Sequence, residues 1–313
     1  MTTSTALNVE KLTKIFDGTP PFVAVDNLSF SVPYGQILGI LGANGAGKTT
    51  LVQMLLSTLT PTSGTITMFG KNAAIHRSQV LERIGFASAY VNFSGYLTVA
   101  ENLTIFGLLY GLGAKQVTDA VAQSLEDFSM TPFAHREVRS LSAGQKTRVM
   151  LAKAFLASPK LVLLDEPTAS LDPDIADEVC DFIVSRQQSA GVTVIVTSHD
   201  MDEVTRMCDR VLVMQQGKII ADDSPMALAA SVDTTKIHLQ LSQGIAQLIQ
   251  LCNEKKLPCS VTNQRVTIAI AEHDIASFLT TVSLQGIAYN YITIDKPTLH
   301  DYFLQVARTT KGA

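Results

Sequence analysis

One junction constrains this chain more than any other feature. Gln36-Ile-Leu-Gly-Ile-Leu41 reads as a buried strand, and Thr50-Leu-Val-Gln-Met-Leu-Leu56 reads as a helix. Between them, Gly42-Ala43-Asn44-Gly45-Ala46-Gly47-Lys48-Thr49 fits the phosphate-binding pattern Gly-x-x-x-x-Gly-Lys-[Ser/Thr]. The glycines permit a turn tight enough for successive N–H groups to face phosphate oxygens. Lys48 brings a charge for the β and γ phosphates, and Thr49 a hydroxyl suited to Mg²⁺. The following helix adds the positive end of its dipole. A glycine-rich turn alone would fit the same residues, so the reading leans on the motifs downstream.

The 313 residues suffice for one large or two ordinary domains. A hydrophobic share of 46% against 17% charged residues suits a packed globular protein. The net charge is −4 with no dense Lys/Arg run, which argues against nucleic acid as the main partner. Cys180, Cys208, Cys252 and Cys259 form no Cys-x-x-Cys pair and read as buried thiols in a reducing compartment. The N-terminus lacks the pattern of a secretory signal. No apolar run reaches the ~18 residues of a spanning helix. In a membrane process, another subunit would supply the spanning part.

Residues 6–12, 23–32 and 64–69 read as strands, giving a β-rich start. Helices follow over about 98–157, the first opened by Thr98 with Glu101 at capping-box spacing, the second over 114–128 and the third after Ser142. Residues 161–165 and 193–197 read as buried parallel strands around a helix at 175–189, the pattern of an α/β sheet. After about residue 225 the order strand, helix, strand, strand, helix, strand predicts a small ferredoxin-like α+β domain, closed by a last helix at 298–306.

Three further motifs carry chemistry. Leu141-Ser142-Ala143-Gly144-Gln145 is by itself a capping box, yet a serine hydroxyl and glycine N–H groups at a helix N-terminus also make a phosphate cradle. Leu161-Val-Leu-Leu-Asp165-Glu166 is an apolar strand ending in two carboxylates. Asp165 suits Mg²⁺, and Glu166 is placed to act as general base on water. A charged pair at a strand end is equally common in α/β proteins, and the phosphate loop tips the balance. Thr197-Ser198-His199-Asp200 ends another strand, with His199 within reach of a γ-phosphate and the Glu166 water.

The ordered set "GANGAGKT", "LSAGQ", "LLDEPTASLD" and "TSHD" resembles the ATP-binding subunit of an ABC transporter, over residues from about 6 to 225. The resemblance implies a P-loop NTPase core of α/β class, with an antiparallel β subdomain and a helical insert at about 90–158. Residues 1–225 would form that ATP-binding domain and 226–313 the accessory domain. By the same resemblance Gly42, Ala43, Asn44, Gly45, Ala46, Gly47, Lys48, Thr49 and Thr50 hold ATP, Thr49 and Asp165 hold Mg²⁺, and Glu166, His199 and Lys48 are catalytic. Phe16 falls where the family stacks an aromatic on adenine, with core packing as its other reading. Two copies are implied to pair head to tail, Ser142, Ala143, Gly144, Gln145 and Asp172 of each reaching the other's nucleotide. The ending "DKPTLHDYF" resembles the tails of ATPases serving small drug, sodium or polysaccharide exporters.

These implications predict an ATP hydrolase lying on the inner face of the cell membrane and powering export through a separate integral permease. The ATPase would be a homodimer or paired with a second ATPase subunit. Two alternatives are a soluble ABC-type ATPase acting on ribosomes or DNA, and a weakly hydrolysing regulatory module. The second is prompted by Ala89, which stands where the family keeps a loop glutamine; Ser88, Tyr90 and Asn92 are the substitutes nearby. Ala143 replaces the commoner signature glycine.

Overall fold

The computed structural model describes residues 5–88, 93–169, 171–232 and 234–311, with side chains through 306. Ala89, Tyr90, Asn92 and Ser170 lie outside the described residues. The chain forms two compact units, Met1–Ser224 and Pro225–Ala313.

In the first unit, β1 (Thr5–Phe16) and β2 (Phe22–Pro33) make a long hairpin, and β3 (Ile37–Leu41) leads into α1 (Lys48–Leu55). β4 (Ser63–Met68) and β5 (Lys71–Asn72) complete an antiparallel sheet of order β2-β1-β4-β5. After α2 (Arg77–Leu81) and β6 (Ile84–Ser88) come three helices that pack on one another, α3 (Val99–Leu109), α4 (Ala114–Asp127) and α5 (Ala143–Phe155). The chain continues through β7 (Leu161–Asp165), α6 (Pro173–Ala190), β8 (Thr193–Ser198), α7 (Met201–Met207), β9 (Arg210–Gln215) and β10 (Lys218–Asp223). The second sheet has the order β10-β9-β3-β8-β7-β6, parallel except for β10 at its edge.

β3, β7 and β8 are buried along their whole length, as continuous apolar runs in a parallel sheet should be. α1 buries Leu51, Met54 and Leu55, spaced three and four apart on one face. They join a single core with Leu7, Leu12 and Leu28 of the antiparallel sheet and Leu38, Leu163 and Leu212 of the parallel one. The helix behind the glycine-rich loop is therefore clamped by both sheets. Register aligns Leu41 with Ser198 and Asp165 with Thr197, so β3, β7 and β8 end at one level, at the carboxyl edge where α/β sheets bind ligands.

The insert starts as its sequence suggests. The Thr98 hydroxyl accepts from the Glu101 N–H at 3.2 Å, and the Glu101 carboxylate accepts from the Thr98 N–H at 2.8 Å. Its unexpected member is Lys153 on α5, only 4% exposed. Its ammonium lies 5.1 Å from the Phe106 ring centre and 5.9 Å from that of Phe86.

The second unit opens with α8 (Pro225–Ala230), followed by β11 (Thr234–Leu241), α9 (Ile245–Glu254), β12 (Cys259–Thr262), β13 (Arg265–Ala271), α10 (Ile275–Leu284), β14 (Tyr289–Asp295) and α11 (Leu299–Lys311). Its antiparallel sheet has the order β12-β13-β11-β14, the ferredoxin-like arrangement expected from the element order. Ile237, Leu239 and Leu241 alternate into a core with Leu248 and Leu251 of α9 and Phe278 and Val282 of α10. On the opposite face, His238 bridges three strands, 2.8 Å from the Thr267 hydroxyl and 2.8 Å from the Asp295 carboxylate.

Burial pushes the Lys153 ammonium from 10.5 down to about 8. Below about 8 both folded and unfolded chains carry the charge, and the folded one bears its desolvation. Between about 8 and 10.5 the folded chain sheds the proton first, so wild-type stability rises with pH. Lys153→Met is expected to be at least as stable as wild type at pH 7, with the gap moving in favour of wild type across that window. Denaturant midpoints of both proteins at several pH values check this.

Candidate functional site

The glycine-rich loop closes over a cavity of about 420 Å³ whose walls come from three strand ends and the β1–β2 hairpin. Residues 43–50, Asp165, Glu166, Ala169, His199, Phe22 and Ala24 line it. The loop needs glycine for steric reasons. Gly47 has φ 103°, and a Cβ there would lie 2.4 Å from the Ala24 carbonyl oxygen. Gly47 is also the residue that precedes α1, and no side chain caps that helix. Its first N–H groups therefore remain donors for a ligand, the arrangement that binds phosphate at helix N-termini.

The charged groups converge on Glu166. The Lys48 ammonium, on a residue 7% exposed, donates to the Gly42 carbonyl at 2.5 Å and sits 3.4 Å from Glu166 Oε1. His199 Nδ1 lies 2.7 Å from Glu166 Oε2. One carboxylate thus joins the loop lysine to the histidine of the next strand end. Glu166 itself has φ 52°, in the left-handed region.

Hydroxyls tie the two carboxyl-terminal turns together. Thr197 Oγ1 donates to Asp165 Oδ1 at 2.6 Å and accepts from the Glu166 N–H at 3.0 Å. Half-buried Glu203 accepts from the Thr168 hydroxyl at 2.7 Å and the Ser198 hydroxyl at 2.9 Å. Burial raises the Glu203 carboxyl above its usual range, opposed by those two hydrogen bonds. Asp200 caps α7 by accepting from the Asp202 and Glu203 N–H groups.

Thr49 and Asp165 share the cavity wall and offer hard oxygen donors, which fits a magnesium ion. No group of three or more His, Cys, Asp or Glu forms a metal cluster among the described residues. A divalent ion held here would complete its shell with phosphate oxygens and water, as Mg²⁺ does in nucleotide sites.

The structure gathers Lys48, Thr49, Thr50, Asp165, Glu166 and His199 around one space, but not every candidate. Ser142, Ala143, Gly144, Gln145 and Asp172 do not line it. The Ser142 hydroxyl accepts from the Gln145 N–H at 3.2 Å, and Gln145 Oε1 accepts from the Ser142 N–H at 3.0 Å, so the capping box is real. The serine's own proton is still available to an acceptor. Phe16 also stands apart from the cavity, its ring 5.2 Å from the Lys14 ammonium. Its cross-strand partner Phe22 lines the wall instead. Sequence reading ended β1 at residue 12 and began β2 at 23, so it missed the pairing that would have pointed to Phe22. It also missed Thr197 and Glu203, whose partners Asp165 and Thr168 are distant in sequence.

The family model described as ABC transporter matches residues 25–169. The chain is similar to the Nod factor export ATP-binding protein I of Rhizobium sp. (strain N33), 31% identical over 91% of this chain and 92% of that protein. It is also similar to the daunorubicin/doxorubicin resistance ATP-binding protein DrrA of Streptomyces peucetius, 34% identical over 75% of this chain and 70% of that one. Among solved structures, cbiO1 from Clostridium perfringens, described as part of the ABC transporter complex cbiONQ, matches with a TM-score of 0.66. It is 27% identical and covers 80% of this chain and 95% of its own.

Gly144 owes its identity to a contact within the chain. A Cβ there would lie 2.8 Å from Ile175 Cγ2, at the start of α6. A β-branched side chain has little freedom to yield. Gly144→Ala is therefore expected to cost about 1–3 kcal/mol through overpacking. Ile175→Ala in the same chain should recover part of that loss, read as non-additivity in a double-mutant cycle of unfolding midpoints.

Proposed function

The chain belongs to the ABC transporter family, as one of its ATP-binding, ATP-hydrolysing subunits, and on that premise we propose that it powers export through a separate membrane permease. The observation that carries the reading is the meeting, in one cavity, of an uncapped helix N-terminus, Lys48, Asp165 and Glu166. The relatives bearing the names of export and drug-resistance ATP-binding proteins support the outward direction. No helix among the described residues is long and apolar enough to cross a membrane, which fits a subunit resting on the inner face of the cell membrane against a separate permease.

The working cycle follows from the charges. Lys48 now spends its donors on the Gly42 carbonyl and Glu166. Arriving β and γ phosphates take over that ammonium, while the N–H groups of the loop and of α1 receive their oxygens. Thr49 and Asp165 would hold Mg²⁺, which when bound would help neutralise the charge that develops on the phosphates. Glu166, released from Lys48, keeps His199 beside it and accepts the proton of the attacking water. His199 orients that carboxylate and reaches toward the γ-phosphate. Phe22 gives the cavity an aromatic wall, and Phe16 remains the alternative contact for the base.

The Ser142–Gln145 turn, exposed at Ser142 and Ala143, completes the site of a second copy rather than its own. Its hydroxyl proton and helix N-terminus would face the other copy's γ-phosphate, tying hydrolysis to closure of a head-to-tail dimer. Asp172, exposed ahead of α6, would sit at the same junction. A paired, non-identical ATPase subunit would satisfy the same geometry.

Glu166→Gln is expected to lower phosphate release by at least about a hundredfold while ATP binding persists, because the base is lost and an anion beside the phosphates is removed. Steady-state phosphate release and equilibrium nucleotide binding measure the two halves, and turnover at the wild-type rate would refute the role. In that trapped background, Ser142→Arg should abolish the ATP-dependent dimer on a sizing column. A dimer of unchanged stability would remove Ser142 from the partner's site.

A further inference from the structure

The strongest unassigned feature is a single buried hydroxyl that touches both carboxylate residues at the end of β7. Thr197 is 1% exposed and Asp165 8% exposed. Strand register sets them side by side across β7 and β8. The Thr197 hydroxyl has one proton, and at 2.6 Å it goes to Asp165 Oδ1, since a carboxylate only accepts. The hydroxyl oxygen can then only accept from Glu166, whose N–H lies 3.0 Å away. That N–H is shared with the Thr197 carbonyl at 3.2 Å. The chain of donors therefore has one direction, from Glu166 N–H through the threonine to Asp165.

Two consequences follow from this polarity. The bond to Oδ1 fixes the rotation of the Asp165 carboxylate, and with it the directions in which its remaining lone pairs can meet a cation. Glu166 sits at φ 52°, a conformation a non-glycine residue leaves unless it is held. The shared N–H bond to Thr197 is such a hold.

We propose that Thr197 is the positioning residue for both carboxylates, orienting Asp165 toward the magnesium ion and fixing the backbone that carries Glu166. It does not line the cavity and acts through its two neighbours. The inference rests on the ATPase reading above and adds to it a residue on a different strand. It also gives the buried end of β8 a chemical reason to carry threonine where valine would pack equally well.

The experiment compares Thr197→Val, which keeps the shape and removes the hydroxyl, with Thr197→Ser, which keeps the hydroxyl. The readout is Mg²⁺-dependent binding of a fluorescent ATP analogue to the full chain, followed by phosphate release. Thr197→Val should raise the half-saturating Mg²⁺ concentration about 10- to 100-fold and lower turnover by a similar factor. Analogue binding without Mg²⁺ should stay at the wild-type level. Thr197→Ser should return both quantities to wild type. Unchanged Mg²⁺ dependence in Thr197→Val would overturn the proposal, as would equal impairment in Thr197→Ser. If Thr197→Val does not fold, Thr197→Ala is compared with Thr197→Ser in the same titration, and equal Mg²⁺ dependence of the two would again overturn it. A wild-type chain that releases no phosphate would instead refute the ATPase reading, whatever the variants do.

Discussion

A lysine ammonium that is nearly out of water needs something to compensate its charge, and at Lys48, around which the first unit is arranged, the compensation is an anion. Lys48 begins α1, and α1 is clamped between two sheets, so the ammonium has little freedom to seek solvent. The anion it finds is Glu166, just past the end of the strand two places along the sheet from β3. Phosphate and Glu166 therefore compete for one cation. On the proposed function, the carboxylate that activates water becomes free only when a triphosphate has taken its place. Binding and the release of the base are then one event, set by electrostatics, and closure of the proposed dimer acts on a site already primed.

Much of this was legible in the sequence because it is local. The strand, loop and helix around Lys48 occupy consecutive residues, and the capping boxes at Thr98 and Ser142 span four residues each. The alternation of Ile237, Leu239 and Leu241 announced a half-buried strand. The residues that escaped notice act over long separations. Thr197 meets Asp165 across 32 positions, and Thr168 meets Glu203 across 35. Nothing in a threonine's neighbours along the chain tells which carboxylate a strand register will set beside it. Lys153 was invisible for a related reason, since a lysine in a helix reads as a solvated face until two rings close over it.

Gly144 shows two explanations coexisting at one position. The signature reading asks for N–H groups at a helix start, and the packing reading asks for room beside Ile175. Both are met by the absence of a side chain. The contact joins the start of α5 to the start of α6, so the turn at Ser142 and the turn at Asp172 are braced by one pair of residues. A displacement of either helix would be felt at both turns, which on the proposed dimer face the same neighbour.

The left-handed backbone at Glu166 has an evolutionary corollary. An ordinary side chain pays roughly 1–2 kcal/mol there, whereas asparagine and glycine occupy the region readily. On the proposed function, a change of this residue to glycine or asparagine would relax the backbone while destroying the base. Copies of such a gene that lose selection for turnover should then drift toward a sturdier, inert nucleotide-binding form.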